Sequence, residues 1–182
     1  NAVYDDADAV MLSAESAVGD YPAEAVSMME KIILRVESDP TYILDHMDNK
    51  SNPDSTPEDA ITAAARQVSS IIGAAAIVTF TTSGATALRA ARERPGVPIL
   101  ALTPKEKVAR QLCLVWGLNT LITKDVNDFE ELLAKSKRMA LRSKLASGGD
   151  RIVVTAGVPF GTPGATNVLH IALVQGNELD GH

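Results

Sequence analysis

Short apolar runs alternate with helical segments through most of this 182-residue sequence. Ala76–Phe80 and Pro98–Leu102 have the length of one strand each and are almost wholly apolar, which is typical of strands buried on both faces. Parallel strands need a long crossover, usually a helix, so the alternation predicts a parallel α/β sheet. Three further strands are expected at Leu118–Thr123, Arg151–Thr155 and Val168–Val174.

Helix-start signals separate these runs. Thr56 is suited to cap a helix that has Pro57 at its first position and ends near Ile72. Thr103–Glu106 has the form of a capping box with a proline at the first helical position, and it predicts a helix toward Leu114. The remaining helices are expected at Ala85–Arg92 and Asn127–Leu145.

The final two strands are joined by an irregular loop that offers no crossover helix, so the last strand is expected to be antiparallel at an edge. The predicted fold is a three-layer α/β sandwich with a mostly parallel five-stranded sheet. Ahead of it, Ala9–Ser13 is interpreted as a buried strand and Pro22–Glu37 as a helix with apolar residues at helical spacing. These two elements form one isolated β/α unit.

A polar stretch with two prolines and four aspartates, Ser38–Asp54, separates that unit from the sandwich. The predicted organisation is therefore a β/α unit over residues 1–38, a linker over 39–55 and an α/β domain over 56–182. The opening residues contain no initiator Met and no signal-peptide pattern, so we expect further chain upstream.

Composition excludes several classes of protein. A net charge of −6 argues against a nucleic-acid binder, because phosphate neutralisation supplies most of that affinity. No apolar run approaches the roughly 18 residues of a membrane span. The single cysteine, Cys113, cannot form an internal disulfide, and the three histidines lack metal-ligand spacing, so we expect a cytoplasmic protein with no metal site of its own.

The first candidate site follows the strand predicted at Ala9–Ser13. Ser13 and Glu15 stand where that strand ends, which is the catalytic face if the strand belongs to a β/α barrel. Glu15 could orient a proton-transferring water or a cation ligand. The alternative is that it caps the turn or pairs with a Lys or Arg from an adjacent strand.

The second candidate lies in Thr79–Ala87, where five hydroxyl residues occur within eight positions between a strand and a helix. Free N–H groups and the helix dipole favour an anion at such a helix N-terminus, and Gly84 would let the backbone approach a phosphate closely. The sequence therefore favours a phosphate site. Simple N-capping by Thr82 or Ser83 is the alternative, and the Gly-Lys-Ser/Thr of a Walker loop is missing.

The third candidate is the loop Thr155–Asn167, in which three glycines and two prolines define the chain path. The loop is long enough to fold over a ligand, although an ordinary rigid connection between strands would have the same composition. Hydroxyl residues in both loops favour a shared site.

These segments together resemble the pyruvate kinase family. Ala7–Val26 is similar to the family block ADAVMLSGETAxGxYPxEAV around the eighth barrel strand, with Ala14 and Ser16 in place of the usual Gly and Thr. Similarity continues in a set of shorter segments: Thr82–Gly84, Pro98–Pro104, Ala109–Leu112, Trp116–Gly117, Gly149–Gly157 and Gly164–Asn167. The resemblance implies the last β/α unit of a (β/α)8 barrel followed by the carboxy-terminal regulatory domain.

The resemblance also implies an activity for the whole enzyme: phosphoryl transfer from phosphoenolpyruvate to ADP in glycolysis, giving pyruvate and ATP, with Mg²⁺ and possibly K⁺. The family's principal metal and phosphate ligands lie on earlier barrel strands, which are outside this sequence. Ser13 and Glu15 correspond to the edge of the active site. We therefore expect the chain itself to be inactive and to bind no metal.

For the regulatory domain, the resemblance implies an effector-phosphate site and a homotetramer. The effector loop corresponds to Thr81, Thr82, Ser83, Gly84, Ala85 and Thr86, and the second effector loop to Gly161, Thr162, Gly164 and Thr166. Since Val158–Asn167 has no Arg, Lys or Trp, a sugar monophosphate, AMP or no effector is as plausible as fructose 1,6-bisphosphate. The competing hypothesis is a free-standing phosphometabolite-binding module.

Overall fold

The computed structural model describes residues 1–42, 53–159 and 165–176. The chain divides into two compact units, Asn1–Lys50 and Ser51–His182. The division falls inside the segment predicted as a linker, much of which lies outside the described residues, so the boundaries of that linker stay a prediction. No helix in the described part of the chain is long and apolar enough to cross a membrane.

The first unit contains the helices α1, Ala14–Ala17, and α2, Pro22–Glu37. The strand predicted at Ala9–Ser13 is wrong, because residues 1–42 contain no strand. A strand is defined by hydrogen bonds to a neighbouring strand, and no other extended segment of residues 1–42 supplies them. The Ser13 carbonyl instead accepts the N–H groups of Ser16 and Ala17, at 3.3 and 3.1 Å, which starts α1.

Helix α2 begins at Pro22, as predicted, because proline has the φ of a first helical position and no N–H that would need a partner there. Ala25, Met29, Ile33 and Val36 are half-buried on one face, at the spacing of an amphipathic helix.

The second unit contains a five-stranded sheet in the order β3-β2-β1-β4-β5. The pairs β1–β2, β2–β3 and β1–β4 are parallel, and β4–β5 is antiparallel at the edge. The predicted sheet is thus confirmed. Its strands are β1, Ala76–Phe80; β2, Ile99–Thr103; β3, Leu118–Ile122; β4, Arg151–Ala156; and β5, Val168–Leu173.

Among the described residues of this unit, four helices cover the sheet: α3, Pro57–Ile72; α4, Ala85–Arg92; α5, Glu106–Leu112; and α6, Phe129–Arg142. Helix α3 begins as predicted, since the Thr56 hydroxyl accepts the Asp59 N–H at 3.3 Å. It ends at Gly73, whose φ of 58° lies in the left-handed region that glycine adopts without steric cost.

The capping box predicted at Thr103–Glu106 is wrong, because α5 begins only at Glu106. The carbonyl of an N-cap residue accepts the first hydrogen bond of its helix. The Thr103 carbonyl instead accepts the N–H of Thr123, at 2.9 Å, as part of the pairing with β3. Lys105 remains extended, so the helix starts two residues later than the sequence pattern predicts.

The core occupies both faces of the sheet. On one face, Val78, Leu100 and Val154 pack with Leu132 of α6, and all four side chains are fully buried. On the other face the sheet packs against small residues of α3 and α4, which let these helices approach closely: Ala65, Ala90 and Ala91. Since β1 and β4 are parallel neighbours, their carboxyl ends lie side by side, and the two candidate loops begin there.

Candidate functional site

The loop from β1 to α4 is held in shape by its own hydroxyl groups. We call residues Thr81–Thr86 the cradle loop. The Thr81 hydroxyl accepts the Gly84 N–H at 2.9 Å, and the Ser83 hydroxyl accepts the Ala85 N–H at 3.4 Å. Because Ser83 is exposed and its bond is long, this hydroxyl is accessible to a ligand at small cost.

Gly84 caps α4 through its backbone conformation and not through a side chain. Its φ is 91°, a region that residues with a side chain rarely adopt. A Cβ atom at this position would also lie 3.3 Å from Cγ1 of Val108. The alternative of N-capping by Thr82 or Ser83 therefore does not describe the start of α4.

The start of α4 has the chemistry of an anion site. The first N–H groups of a helix have no acceptor within that helix, and the helix dipole adds partial positive charge there. Helix α4 has eight residues, and its two basic residues, Arg89 and Arg92, lie in the last turn. Attraction of an anion to the cradle loop would therefore depend on backbone N–H groups and hydroxyls.

A hydrogen bond between two buried hydroxyls joins the cradle loop to the loop that follows β4. We call Gly157–Asn167 the return loop. The hydroxyls of Thr86 and Thr166 are 2.6 Å apart. Thr86 is 6% exposed and Thr166 is fully buried, so the bond is shielded from water. The structure thus brings together one residue from each predicted effector loop, while Gly161, Thr162 and Gly164 lie outside the described residues.

The two ends of the return loop are fastened to each other. The Val158 N–H donates to Oδ1 of Asn167 at 2.9 Å, and Nδ2 of Asn167 donates to the Val158 carbonyl at 2.6 Å. At Gly157 a Cβ atom would lie 1.9 Å from the Ala165 carbonyl oxygen, so only glycine fits there. The peptide bond between Val158 and Pro159 is cis.

A buried carboxylate lies at the other end of α4. Oδ1 of Asp59 is 3.1 Å from Nε of Arg89, and its Oδ2 is 2.9 Å from a terminal nitrogen of Arg92. The hydrogen bond from Arg92 is the largest cause that lowers the pKa of Asp59 below its ordinary value, although desolvation opposes it. Asp59 is therefore ionised at neutral pH, and both arginines are directed toward it.

The other predicted site residues, Ser13 and Glu15, form a local exposed turn. Oε2 of Glu15 accepts the Ser13 N–H at 3.0 Å. Hydrogen bonds from the backbone of Glu15 and Ser13 lower the pKa of this carboxyl group, which favours its ionised form. This contact corresponds to the capping alternative, and a role at the edge of an active site stays a prediction.

The described residues contain no cluster of side chains that would hold a metal ion by themselves. In the part of the chain that the structure describes, no three His, Cys, Asp or Glu side chains lie close enough to hold a metal ion together. Mg²⁺ prefers oxygen ligands in near-octahedral geometry, typically one or two carboxylates with water and substrate phosphate. We derive no catalytic step through a metal from these residues.

Comparison with known proteins identifies the family. The family model for the pyruvate kinase alpha/beta domain matches residues 59–172, which include β1 to β4, all but the last residue of β5 and both candidate loops. The chain belongs to the pyruvate kinase family. Among curated pyruvate kinases, it is 47% identical over 173 residues to that of Methylorubrum extorquens and 42% identical over 179 residues to that of Geobacillus stearothermophilus.

These matches cover 95% and 96% of this chain but 36% and 30% of the two pyruvate kinases, so the chain spans about a third of the length of its relatives. A crystal structure of a pyruvate kinase from Cryptosporidium parvum has a TM-score of 0.82 to this chain at 30% sequence identity. It is matched over 96% of this chain and 34% of its own length. The chain corresponds to the carboxy-terminal region of pyruvate kinases.

Sequence reasoning missed the contacts at Gly157 and Asn167 and the pairing of Asp59 with Arg89 and Arg92. The two arginines stand three positions apart on the short helix α4, a spacing that places them on one face. That spacing could have suggested a shared acidic partner. In the sequence alone, Asp59 is an acidic residue in the first turn of a helix, where the helix dipole favours negative charge.

Proposed function

We propose that the full-length protein transfers a phosphoryl group from phosphoenolpyruvate to ADP, giving pyruvate and ATP in cytoplasmic glycolysis. Within it, this chain would bind an effector phosphate and support tetramer assembly, while the chemistry takes place elsewhere. The family match supports the activity of the full-length protein. The observation that carries effector binding is the cradle loop at the start of α4, joined to the return loop through Thr86 and Thr166.

The cradle loop combines the features that a phosphate needs. The backbone N–H groups of a helix start, the positive end of the dipole and a glycine that permits close approach favour a multiply charged anion. Ser83 adds an exposed hydroxyl, and the bond that it now makes to the Ala85 N–H is long enough to be exchanged for a ligand oxygen.

The chemical class of the effector is narrowed by the residues of the return loop, whose sequence contains no Arg, Lys or Trp. A hydrogen bond to a charged group is worth about 1.5–3 kcal/mol, so the return loop offers a second phosphate little compensation for lost water. A sugar monophosphate or AMP would therefore suit this site at least as well as fructose 1,6-bisphosphate.

Calorimetric titration of the chain with fructose 1,6-bisphosphate, a sugar monophosphate, AMP and inorganic phosphate tests effector binding. We expect saturable binding of at least one ligand and a several-fold weaker affinity in Thr86→Val, which removes the hydroxyl shared by the two loops. Thr123→Val is the matched control, because Thr123 follows β3 and its hydroxyl donates locally, to the Lys124 carbonyl. If none of the four ligands binds, the effector proposal fails.

Catalysis is assigned to the rest of the full-length protein, because phosphoryl transfer relies on metal ions and cationic groups and this chain spans only about a third of the length of its relatives. Mg²⁺ and K⁺ would be held there. A coupled assay for pyruvate should show turnover by the full-length protein and none by this chain. In the full-length protein, Glu15→Gln should lower turnover more than Glu24→Gln, an exposed change on α2, and equal turnover in the two variants would remove Glu15 from the active-site edge.

The alternative function, a free-standing phosphometabolite-binding module, is favoured by the separate core of Ser51–His182. The intact mass of the natural protein distinguishes the two. A natural chain near 19.2 kDa would support the module, whereas a chain roughly three times as long would support the enzyme.

The assembly role is supported by the edge strand β5, where Ile171 and Leu173 are 46% and 55% exposed. An apolar edge strand is a favourable place for another chain to pair. We propose that such contacts contribute to a homotetramer. Sedimentation of the full-length protein should show a smaller assembly for Ile171→Lys than for the control Ile71→Lys on α3, and unchanged assembly in both variants would argue against a role for β5.

A further inference from the structure

Asp59 is an almost completely buried carboxylate that contacts two parts of the second unit at once. It lies in the first turn of α3 and is 2% exposed. Its two oxygens pair with Arg89 and Arg92, which are partly exposed at 32% and 49%. A buried charge is tolerated only when it is paired, so the carboxylate fixes the position of the helix that carries both arginines.

That helix is α4, which begins at the cradle loop. Its eight residues span about 12 Å, a length over which a helix moves as a rigid body. The proposed effector would contact the N-terminal end of α4, while Asp59 holds the last turn through the two arginines. A displacement of α4 by a bound anion would therefore also change the geometry at Asp59.

The same carboxylate also holds the segment through which the chain enters the second unit. Oδ2 of Asp59 accepts the N–H of Asp54 at 3.2 Å. The Asp54 carbonyl accepts the N–H of Thr56 at 2.7 Å, and the Thr56 hydroxyl accepts the N–H of Asp59 at 3.3 Å. Residues 54–56 thus form a closed set of hydrogen bonds around Asp59.

We infer that Asp59 is a positioning residue that couples occupancy of the cradle loop to the conformation of residues 54–56. The inference rests on the proposed effector site. Because coupling between two sites is reciprocal, a change in residues 54–56 would alter effector affinity by the same factor. The entry segment of the second unit would then respond to effector binding at the far end of α4.

Hydrogen exchange of the full-length protein, measured by mass spectrometry with and without fructose 1,6-bisphosphate and separately with inorganic phosphate, tests this coupling. In the wild type we expect either ligand to slow exchange several-fold in peptides over residues 81–88 and 53–58. In Asp59→Asn, residues 81–88 should still respond and residues 53–58 should not. A ligand response of residues 53–58 that survives in Asp59→Asn would overturn the inference.

The peptides also separate this inference from the effector proposal. A response at 81–88 alone in the wild type would overturn only the coupling, whereas no response at either place would overturn the effector site and the coupling with it. Arg92→Gln is the second test variant, to be used if Asp59→Asn fails to fold. It keeps Asp59 and Arg89, and we expect residues 81–88 to respond to ligand and residues 53–58 not to respond. Glu58→Gln is the matched control in the same turn of α3 and should behave like the wild type.

Discussion

The two units of the chain differ in how they bury apolar side chains. In the second unit, Ile77, Leu100 and Leu132 are at most 1% exposed, and residues on both faces of the sheet pack in the same way. In the described part of the first unit, Tyr42 is buried, but Met11 and Val18 are more than 80% exposed. The second unit therefore has the core of an independent domain, and the first unit has apolar surface that further protein could cover.

This difference agrees with the length of the relatives, since the chain spans about a third of each. The difference in burial between the two units also bears on the two candidate sites. A site such as the cradle loop can be complete within a domain that has its own core, whereas residues 1–42, which include Ser13 and Glu15, contribute no residue to a core cluster.

The largest expected effect distinguishes the two units directly. Leu132→Ala should lower the free energy of unfolding of the second unit by about 2–5 kcal/mol, because it leaves a cavity in a fully packed core. Leu34→Ala is the matched change on α2, where the side chain is 58% exposed, and should cost below about 0.5 kcal/mol. Denaturation followed by fluorescence of the single tryptophan, Trp116, measures the first effect, and circular dichroism measures both. Equal losses would contradict the comparison.

Gly157→Ala should lower the free energy of unfolding by about 1–3 kcal/mol, less than Leu132→Ala. The new methyl group would overlap the Ala165 carbonyl and force the return loop to move. Gly96→Ala is the control, since a Cβ atom there meets nothing within 4 Å. The midpoints of urea denaturation should differ clearly between the two variants. An unchanged midpoint for Gly157→Ala would show that the ends of the return loop are not held together as described.

The hydrogen bond between Thr86 and Thr166 should contribute less to the free energy of unfolding than the fit at Gly157. Thr166→Val leaves the Thr86 hydroxyl buried without its partner, at a cost of about 1–2 kcal/mol. Replacing both by Val should cost less than the sum of the single changes, because no unpaired hydroxyl then remains. A double-mutant cycle measured by denaturation checks this, and strictly additive losses would mean that the two hydroxyls do not interact.

The effect of Asp59 on stability should depend on pH. Its pKa is lower in the folded state than in the unfolded chain, so its contribution is complete above about pH 4 and is lost as pH falls through the folded-state value. Wild type and Asp59→Asn should therefore differ most near neutral pH and converge in acid. Denaturation at a series of pH values checks this, and a difference that stays constant into acid would contradict it.

Much of the second unit could be predicted from sequence, because β1, β2 and nearly all of β4 are buried and have apolar runs bounded by helix signals. Ala9–Ser13 has the same apolar character but no neighbouring strand in residues 1–42, so the pattern alone was insufficient. The start of α5 was also misjudged, because the carbonyl of Thr103 bonds to Thr123, a residue 20 positions away.

Prediction of the candidate site from sequence has the same limit, because contacts between separate elements are not visible in the local pattern. Local sequence indicated the hydroxyls of the cradle loop and the glycines of the return loop. The contact of Thr86 with Thr166 and the ion pairs of Asp59 with Arg89 and Arg92 join residues from separate elements. Such pairings depend on how helices and strands pack, and no periodicity in the sequence reports them.

We propose that the cradle loop gives the second unit a phosphate site of its own. Amide NMR spectra of the chain, recorded during titration with a sugar monophosphate and then with fructose 1,6-bisphosphate, test it most directly. We expect the Gly84, Ala85 and Thr86 amide signals to shift and saturate together with at least one ligand. Signals of these three residues that stay fixed with both ligands, or shifts confined to other parts of the chain, would contradict the claim.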